Sequence, residues 1–481
     1  MKILFAASEA APFAKTGGLA DVAGSLPQAV ASLGHDVRVV MPRYRQADVK
    51  TFGLRPAATF DVPLGTWKER CDVFEGYLGG KVTVYFVGKD IYYDRPELYR
   101  TARVDYPDNA ERFIFFCRAI PELCRVMNFR PDIVHCNDWQ TGLVPLYLKK
   151  FYSENGAARR PKTVVTVHNL GYQGQFPKED LRLTGLGPDV FTPEGIEFWG
   201  KINFLKAGLV YADSITTVSK TYSREIQTPE YGCGLEGVLL KRAGDLFGIV
   251  NGIDNKEWDP ARDRDIPRAY SASKLGGKAE CKKALSALAG LSPSDGPLLG
   301  MVTRLADQKG LDILTEALPD IMSLGAQIII LGTGDEKYHR ILTEAARNRK
   351  ARMRVLLQYD DRLARRIYAG CDLFLMPSRY EPCGLGQMIA LRYGTVPVVR
   401  KTGGLADTVA DYNPKTGSGT GFLFEEYSAP ALVDGLRRAV EVYQDGKRWK
   451  RLMQNGMKQD FSWERSAKEY VKVYRKAMRK K

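Results

Sequence analysis

The chain has 481 residues, 44% hydrophobic and 26% charged, a balance that excludes a disordered or fibrous polypeptide and a length that calls for two hydrophobic cores. Lys and Arg outnumber Asp and Glu by 71 to 56, a net charge of +15, so anionic partners are expected: nucleotide phosphates, nucleic acid or a membrane surface. No stretch approaches the roughly 20 uncharged residues of a membrane helix; eight cysteines without a Cys-x-x-Cys pair, and only four histidines, point to buried thiols in a reducing compartment and to no protein-bound metal.

The opening run, Met1 to Ala7, is too short for a signal peptide and is expected to be part of the fold. It is the first of a series of short Val/Ile/Leu/Phe-rich runs, each followed by a helical pattern. In the first half they fall at 3–6, 37–40, 82–86, 133–135, 164–167 and 214–218. In the second they fall at 298–302, 327–331, 355–357, 373–376 and 396–399. Alternating strands and helices in both halves predict two doubly wound, Rossmann-like α/β domains. The segment 251–297 is rich in Asp, Pro, Gly and Lys and holds the turn pair Asn251-Gly252, which puts the connection near its start. The expected divisions are 1–248, 249–463 and 464–481. The last carries eight Lys/Arg against two Glu, and its apolar residues Ala467, Tyr470, Val471, Tyr474 and Met478 keep helical spacing. A basic amphipathic helix with a solvated face fits it better than a nucleic-acid tail, because no aromatic-interleaved binding module accompanies it.

One octapeptide nearly repeats. Lys15-Thr16-Gly17-Gly18-Leu19-Ala20-Asp21-Val22 returns as Lys401-Thr402-Gly403-Gly404-Leu405-Ala406-Asp407-Thr408, and each copy follows a predicted strand and opens a predicted helix. Paired glycines let backbone amides approach an oxygen-rich ligand, and a helix N-terminus favours phosphate. A plain tight turn needs the glycines but not the lysine, so ligand contact is the favoured reading, with the two loops lining one cleft. Neither loop is a dinucleotide fingerprint or a P-loop.

Further segments complete a pattern: Asn137-Asp138-Trp139-Gln140-Thr141-Gly142-Leu143; Thr166-Val167-His168-Asn169-Leu170-Gly171-Tyr172-Gln173-Gly174; Val250-Asn251-Gly252-Ile253-Asp254; Thr303-Arg304-Leu305-Ala306-Asp307-Gln308-Lys309-Gly310; and Ser378-Arg379-Tyr380-Glu381-Pro382-Cys383-Gly384-Leu385. With the two glycine loops, and in order from residue 3 to about 463, the sequence resembles the bacterial glycogen synthase and plant starch synthase family. The resemblance implies the two-Rossmann-domain glycosyltransferase architecture termed GT-B, an ADP-glucose donor, an α-1,4-glucan acceptor, retention at the anomeric carbon, and neither cofactor nor metal. It further implies domain closure over the donor, a terminal helix crossing back to the first domain, and no nucleic-acid or membrane partner. A cytoplasmic location is expected, or the plastid stroma for a mature plant protein.

The resemblance also implies roles for particular residues. Arg304 and Lys309 clamp the diphosphate, where a solvated surface pair is the plainer reading. Glu381 takes the donor sugar's hydroxyls, helped by the Cys383, Gly384 and Leu385 amides, although a glutamate at a helix start also suits the helix dipole. Related transferases carry a second Glu eight residues on; Ile389 stands there, as in glycogen and starch synthases. His168, with Asn169, is placed near the reacting carbon, where a packing histidine is the alternative; it is not read as a general base. Asp138 and Tyr93 are assigned to glucose or acceptor contact, against N-cap and packing readings. Lys15, Gly17, Gly18, Asp21, Asn251, Thr402, Gly403 and Gly404 complete the expected substrate contacts. Cys383 as a nucleophile is rejected. A GT-B enzyme using a UDP-sugar, a nucleotide-sugar epimerase and a non-catalytic glucan-binding protein are the rival readings.

Overall fold

The computed structural model describes residues 1–101, 104–151 and 160–480. The chain divides into two units, one formed by Met1–Gly252 together with the segment from Trp463 onward, the other by Ile253–Ser462.

In the first unit, β1 (Lys2–Ala6) runs down the middle of the sheet because Ile3, Leu4 and Phe5 are each about 1% exposed; burying such side chains contributes roughly 2 kcal/mol apiece. Its parallel neighbours are β2 (Asp36–Pro42) and β6 (Ile133–Asn137). The other strands are β3 (Arg55–Leu64), β4 (Trp67–Leu78), β5 (Val82–Gly88), β7 (Lys162–Val167), β11 (Ser214–Thr217) and β12 (Leu246–Gly248), in the order β12-β11-β7-β6-β1-β2-β5-β4-β3. The winding reverses between β1 and β6. The long hairpin β3–β4 makes one edge antiparallel. A separate small sheet holds β8 (Gln175–Pro177), β9 (Glu197–Phe198) and β10 (Lys201–Asn203).

The helix Trp463–Arg479 packs into this unit through Trp463, Ala467, Tyr470, Val471, Tyr474 and Ala477. Inside the sheet layer the Tyr474 hydroxyl meets His135 Nδ1 at 2.7 Å, and His135 Nε2 meets Thr166 Oγ1 at 2.6 Å. Lys481, the last basic residue of the expected terminal helix, lies outside the described residues.

The second unit is an all-parallel six-stranded sheet. Its strands are β13 (Leu298–Val302), β14 (Gln327–Leu331), β15 (Met353–Leu356), β16 (Leu373–Met376), β17 (Val396–Arg400) and β18 (Phe422–Phe424), in the order β15-β14-β13-β16-β17-β18. This is the nucleotide-fold order, with its reversal between β13 and β16. In such sheets ligands bind beyond the carboxyl ends of the strands at the reversal, so each unit has one crevice to search.

Candidate functional site

In the first unit β1 runs out through Ser8 and Glu9, and β6 runs out through Asn137 and Asp138. Glu9 is 4% exposed, and its carboxylate accepts from the Thr16 amide (2.5 Å), the Thr16 hydroxyl (3.0 Å), the Gly17 amide (3.3 Å) and the Tyr99 hydroxyl (3.1 Å). Burial pushes this carboxyl up in pKa, against those hydrogen bonds. Glu9 thus holds the first glycine loop by the Thr16 and Gly17 amides just ahead of the helix Gly18–Ser32. Lys15 and Asp21 pair at 2.7 Å on the loop's exposed side, and a Cβ at Gly17 or Gly18 would meet nothing within 4 Å.

Asp138 has φ +56 and ψ −171, a conformation found almost only in glycine and costing about 1–3 kcal/mol elsewhere. It does not cap the following turn with its side chain. Its carboxylate instead accepts the His168 amide at 2.7 Å, and burial, reinforced by the Glu9 charge, pushes it up to about 7. Asn137 bridges the crevice, its Nδ2 donating to the Ala6 carbonyl at 3.0 Å and its Oδ1 lying 2.9 Å from His168 Nε2. That pairing puts the imidazole proton on Nε2 and leaves Nδ1 as an acceptor. Burial lowers His168 to about 3, so the ring is neutral at pH 7 and a poor base. Asn169 Oδ1 accepts from the Gly171 amide at 3.0 Å, fixing the turn that follows. Asn251, at the end of the unit, has a buried Oδ1 with no hydrogen-bond partner among the described residues, an acceptor that suits a ligand donor.

In the second unit Lys309 leaves β13 and Glu381 leaves β16, and they pair at 2.6 Å with side chains 15% and 6% exposed. The Ser378 hydroxyl reaches the same Oε2 at 3.1 Å, while Oε1 takes no hydrogen bond from another described residue. Backbone ties lock the two loops together: the Arg379 amide donates to the Gln308 carbonyl at 2.9 Å, and Gln308 Nε2 to the Tyr380 carbonyl at 3.1 Å. Arg304 is exposed in the same β13 loop. The second glycine loop closes the crevice from β17: the Gly404 amide donates to the Glu381 carbonyl at 3.0 Å. Cys383 is buried, Gly384 has φ +72 and Leu385 precedes the helix Gly386–Arg392.

Sequence reasoning needs one correction here. Tyr93 is fully buried, its hydroxyl donating to the Arg112 carbonyl at 2.8 Å and its ring packed among Tyr44, Tyr92 and Phe115; it is a core residue, and the tyrosine on the crevice is Tyr99. The two glycine loops are also not equivalent. A Cβ at Gly403 would fall 1.9 Å from the Glu381 carbonyl oxygen and one at Gly404 2.1 Å from that of Cys383, so these glycines, unlike Gly17 and Gly18, are required by the protein's own backbone. Thr402 is buried beside them. Glu9, Asn137 and Tyr99 escaped sequence reasoning; the signal for Glu9 was a lone carboxylate within the apolar run from Leu4 to Ala14. Among the described residues no group of three or more His, Cys, Asp or Glu side chains could hold a metal ion.

A family model described as starch synthase catalytic domain matches residues 2–241, and one described as glycosyl transferases group 1 matches residues 289–459. The glycogen synthase of Syntrophotalea carbinolica is 50% identical over 480 residues, covering 99% of both chains. That of Geotalea daltonii is 49% identical over the whole of each. Among solved structures, the catalytic domain of Arabidopsis thaliana starch synthase IV, bound to ADP and acarbose, has a TM-score of 0.91 at 34% identity, covering 100% of this chain and 99% of its own. Sucrose-phosphate synthase from Thermosynechococcus elongatus, at 17% identity and TM-score 0.60, shares the fold. With a starch synthase family model across half of its length and half its sequence shared end to end with glycogen synthases, the chain belongs to the glycogen and starch synthase family of GT-B glycosyltransferases.

Proposed function

We propose that the chain transfers glucose from ADP-glucose to the non-reducing-end O4 of an α-1,4-glucan, with retention at the anomeric carbon. The observation that carries the chemistry is the Lys309 to Glu381 contact at the β13/β16 crevice, where a nearly buried ammonium stands ready for an anion and a carboxylate keeps one oxygen for a hydroxyl donor. Lys309 and Arg304 take the diphosphate, because charge that develops on the leaving group is best met by fixed cations in a water-poor site. Glu381 Oε1 accepts a glucose hydroxyl.

In the first unit, neutral His168 offers Nδ1 to a sugar hydroxyl, and Asp138 holds its backbone in place. Lys15, Asp21, Asn169 and Asn251 supply polar contacts to sugar or phosphate. Because His168 is too acidic as imidazolium to serve as base, the proton has another destination. The C1–O bond to phosphate breaks, the acceptor O4 bonds to C1 on the same face, and its proton passes to the departing phosphate oxygen.

Support for the donor and acceptor comes from relatives named glycogen synthase and from a solved neighbour bound to ADP and acarbose. The test mixes the protein with a maltooligosaccharide and ADP-glucose or UDP-glucose, following nucleotide release and chain length together. Elongation preferring ADP-glucose is expected. Preference for UDP-glucose would overturn the donor assignment, and glucan binding without turnover on either donor would replace the enzyme by a binding protein. Mass spectrometry that trapped a glucose adduct on a carboxylate would refute the same-face route.

A further inference from the structure

β9 and β10 form a hairpin in which Phe198 pairs with Lys201 across the two-residue loop Trp199-Gly200. Both loop residues have positive φ, +52 and +78, the signature of a type I′ turn, whose first position favours Asn, Asp or Gly. A tryptophan there is strained, since its Cβ crowds the backbone. Its indole is 84% exposed, more than any other large hydrophobic side chain among those described. Neither the turn nor the core needs this ring, and a strained, solvent-facing aromatic is an outlier that calls for a function.

The hairpin is held firmly and is joined to the His168 turn. The buried Lys206 ammonium donates to the Glu197 carbonyl at 2.5 Å and the Pro193 carbonyl at 2.7 Å, fixing the hairpin's base. The Phe204 and Leu205 amides donate to the Gly174 and Gln173 carbonyls at 3.0 Å each, and Asn203 Nδ2 to Gln173 Oε1 at 2.7 Å. Gln173 and Gly174 follow His168 in the same loop, directly after Tyr172, which is 54% exposed. Hydrogen bonds thus tie the base of the Trp199 hairpin to the segment that follows His168 and carries Tyr172.

We propose that Trp199 is a glucan-stacking platform: an acceptor subsite that takes the apolar face of a pyranose ring in an α-1,4-glucan, some sugars away from the end being extended. The inference rests on the glucan reading above, which gives this chain a polymeric acceptor whose rings present C–H faces to an indole. A rigid hairpin lets the ring bind without first being ordered.

Trp199→Asn and Trp199→Phe test it. Asparagine is the favoured first residue of this turn, so Trp199→Asn should unfold at the wild-type temperature or above, which removes misfolding as an explanation. Its half-saturating glycogen concentration should rise roughly three- to tenfold more than that for maltotriose, the scale of one lost aromatic contact, and its retardation in glycogen-containing native gels should weaken. Trp199→Phe should recover much of both. Equal losses on glycogen and maltotriose, no loss on either, or a Phe variant as poor as the Asn variant would overturn the platform. A wild-type protein that is inactive with both nucleotide sugars yet retarded by glycogen through Trp199 would sink the transferase reading and leave the platform standing.

Discussion

Asp138 joins two costs in one residue: a backbone conformation suited to glycine and a carboxyl that burial raises to about 7. Between about pH 4 and 7 the folded chain keeps a proton that the unfolded chain has released, so this group's share of stability falls as pH rises through that window. Asp138→Asn keeps an acceptor for the His168 amide and carries no charge. It should gain up to about 4 kcal/mol at pH 8, shrinking to nothing near pH 4, while losing activity; thermal unfolding against pH checks it, and a gain that grows toward low pH would contradict the assignment. Lys309 makes the opposite case, since Lys309→Ala strands the Glu381 charge. A loss of about 3 kcal/mol in stability and at least about a hundredfold in turnover is expected, by denaturant titration and initial rates. Lys309 and Glu381 were legible because each follows an apolar strand in a recognisable motif. Glu9, Asn137 and Tyr99 were not, because their roles arise from contacts: Tyr99 meets Glu9 across 90 positions of chain. Tyr93 misled for the same reason, as its sequence neighbours do not reveal that it faces Arg112 and Phe115.

At the scale of elements, the two glycine loops separate what a turn needs from what a ligand needs. Gly404→Ala would drive a methyl into the Cys383 backbone 2.1 Å away, with no flexible side chain to yield, and should cost about 2–4 kcal/mol as well as activity. Gly18→Ala, opening the helix Gly18–Ser32 with empty space around the new carbon, should hold or raise the melting temperature, by about 0.5–1 kcal/mol in stability. If it nevertheless slows transfer, a ligand fills that space; unchanged kinetics would remove Gly18 from the substrate contacts. The buried strands were legible as continuous apolar runs. The β3–β4 hairpin was not: Trp67-Lys68-Glu69-Arg70-Cys71-Asp72-Val73 mixes charge with hydrophobicity because this edge is half solvated. The strand β18, at three residues, is too short to stand out from loop.

At the scale of the molecule, the two units have separate cores, one around β1 with the helix Trp463–Arg479 and one around β13 and β16. Tyr474→Phe should leave His135 Nδ1 without its 2.7 Å partner, a buried loss of about 1–3 kcal/mol. Scanning calorimetry should show this in the transition of the first unit alone; an equal shift in both transitions would mean that the units unfold as one. The discontinuity of the first unit, Met1–Gly252 closed by the segment from Trp463 onward, has a consequence for synthesis. As the chain leaves the ribosome, the first 252 residues emerge with the seat of Tyr470 and Tyr474 uncovered, and wait while another 210 are translated. At 5–20 residues per second that interval is roughly 10–40 seconds, during which the whole of the second unit can fold. Nascent chains halted inside the last helix would therefore carry an exposed apolar seat, making them natural clients for chaperones.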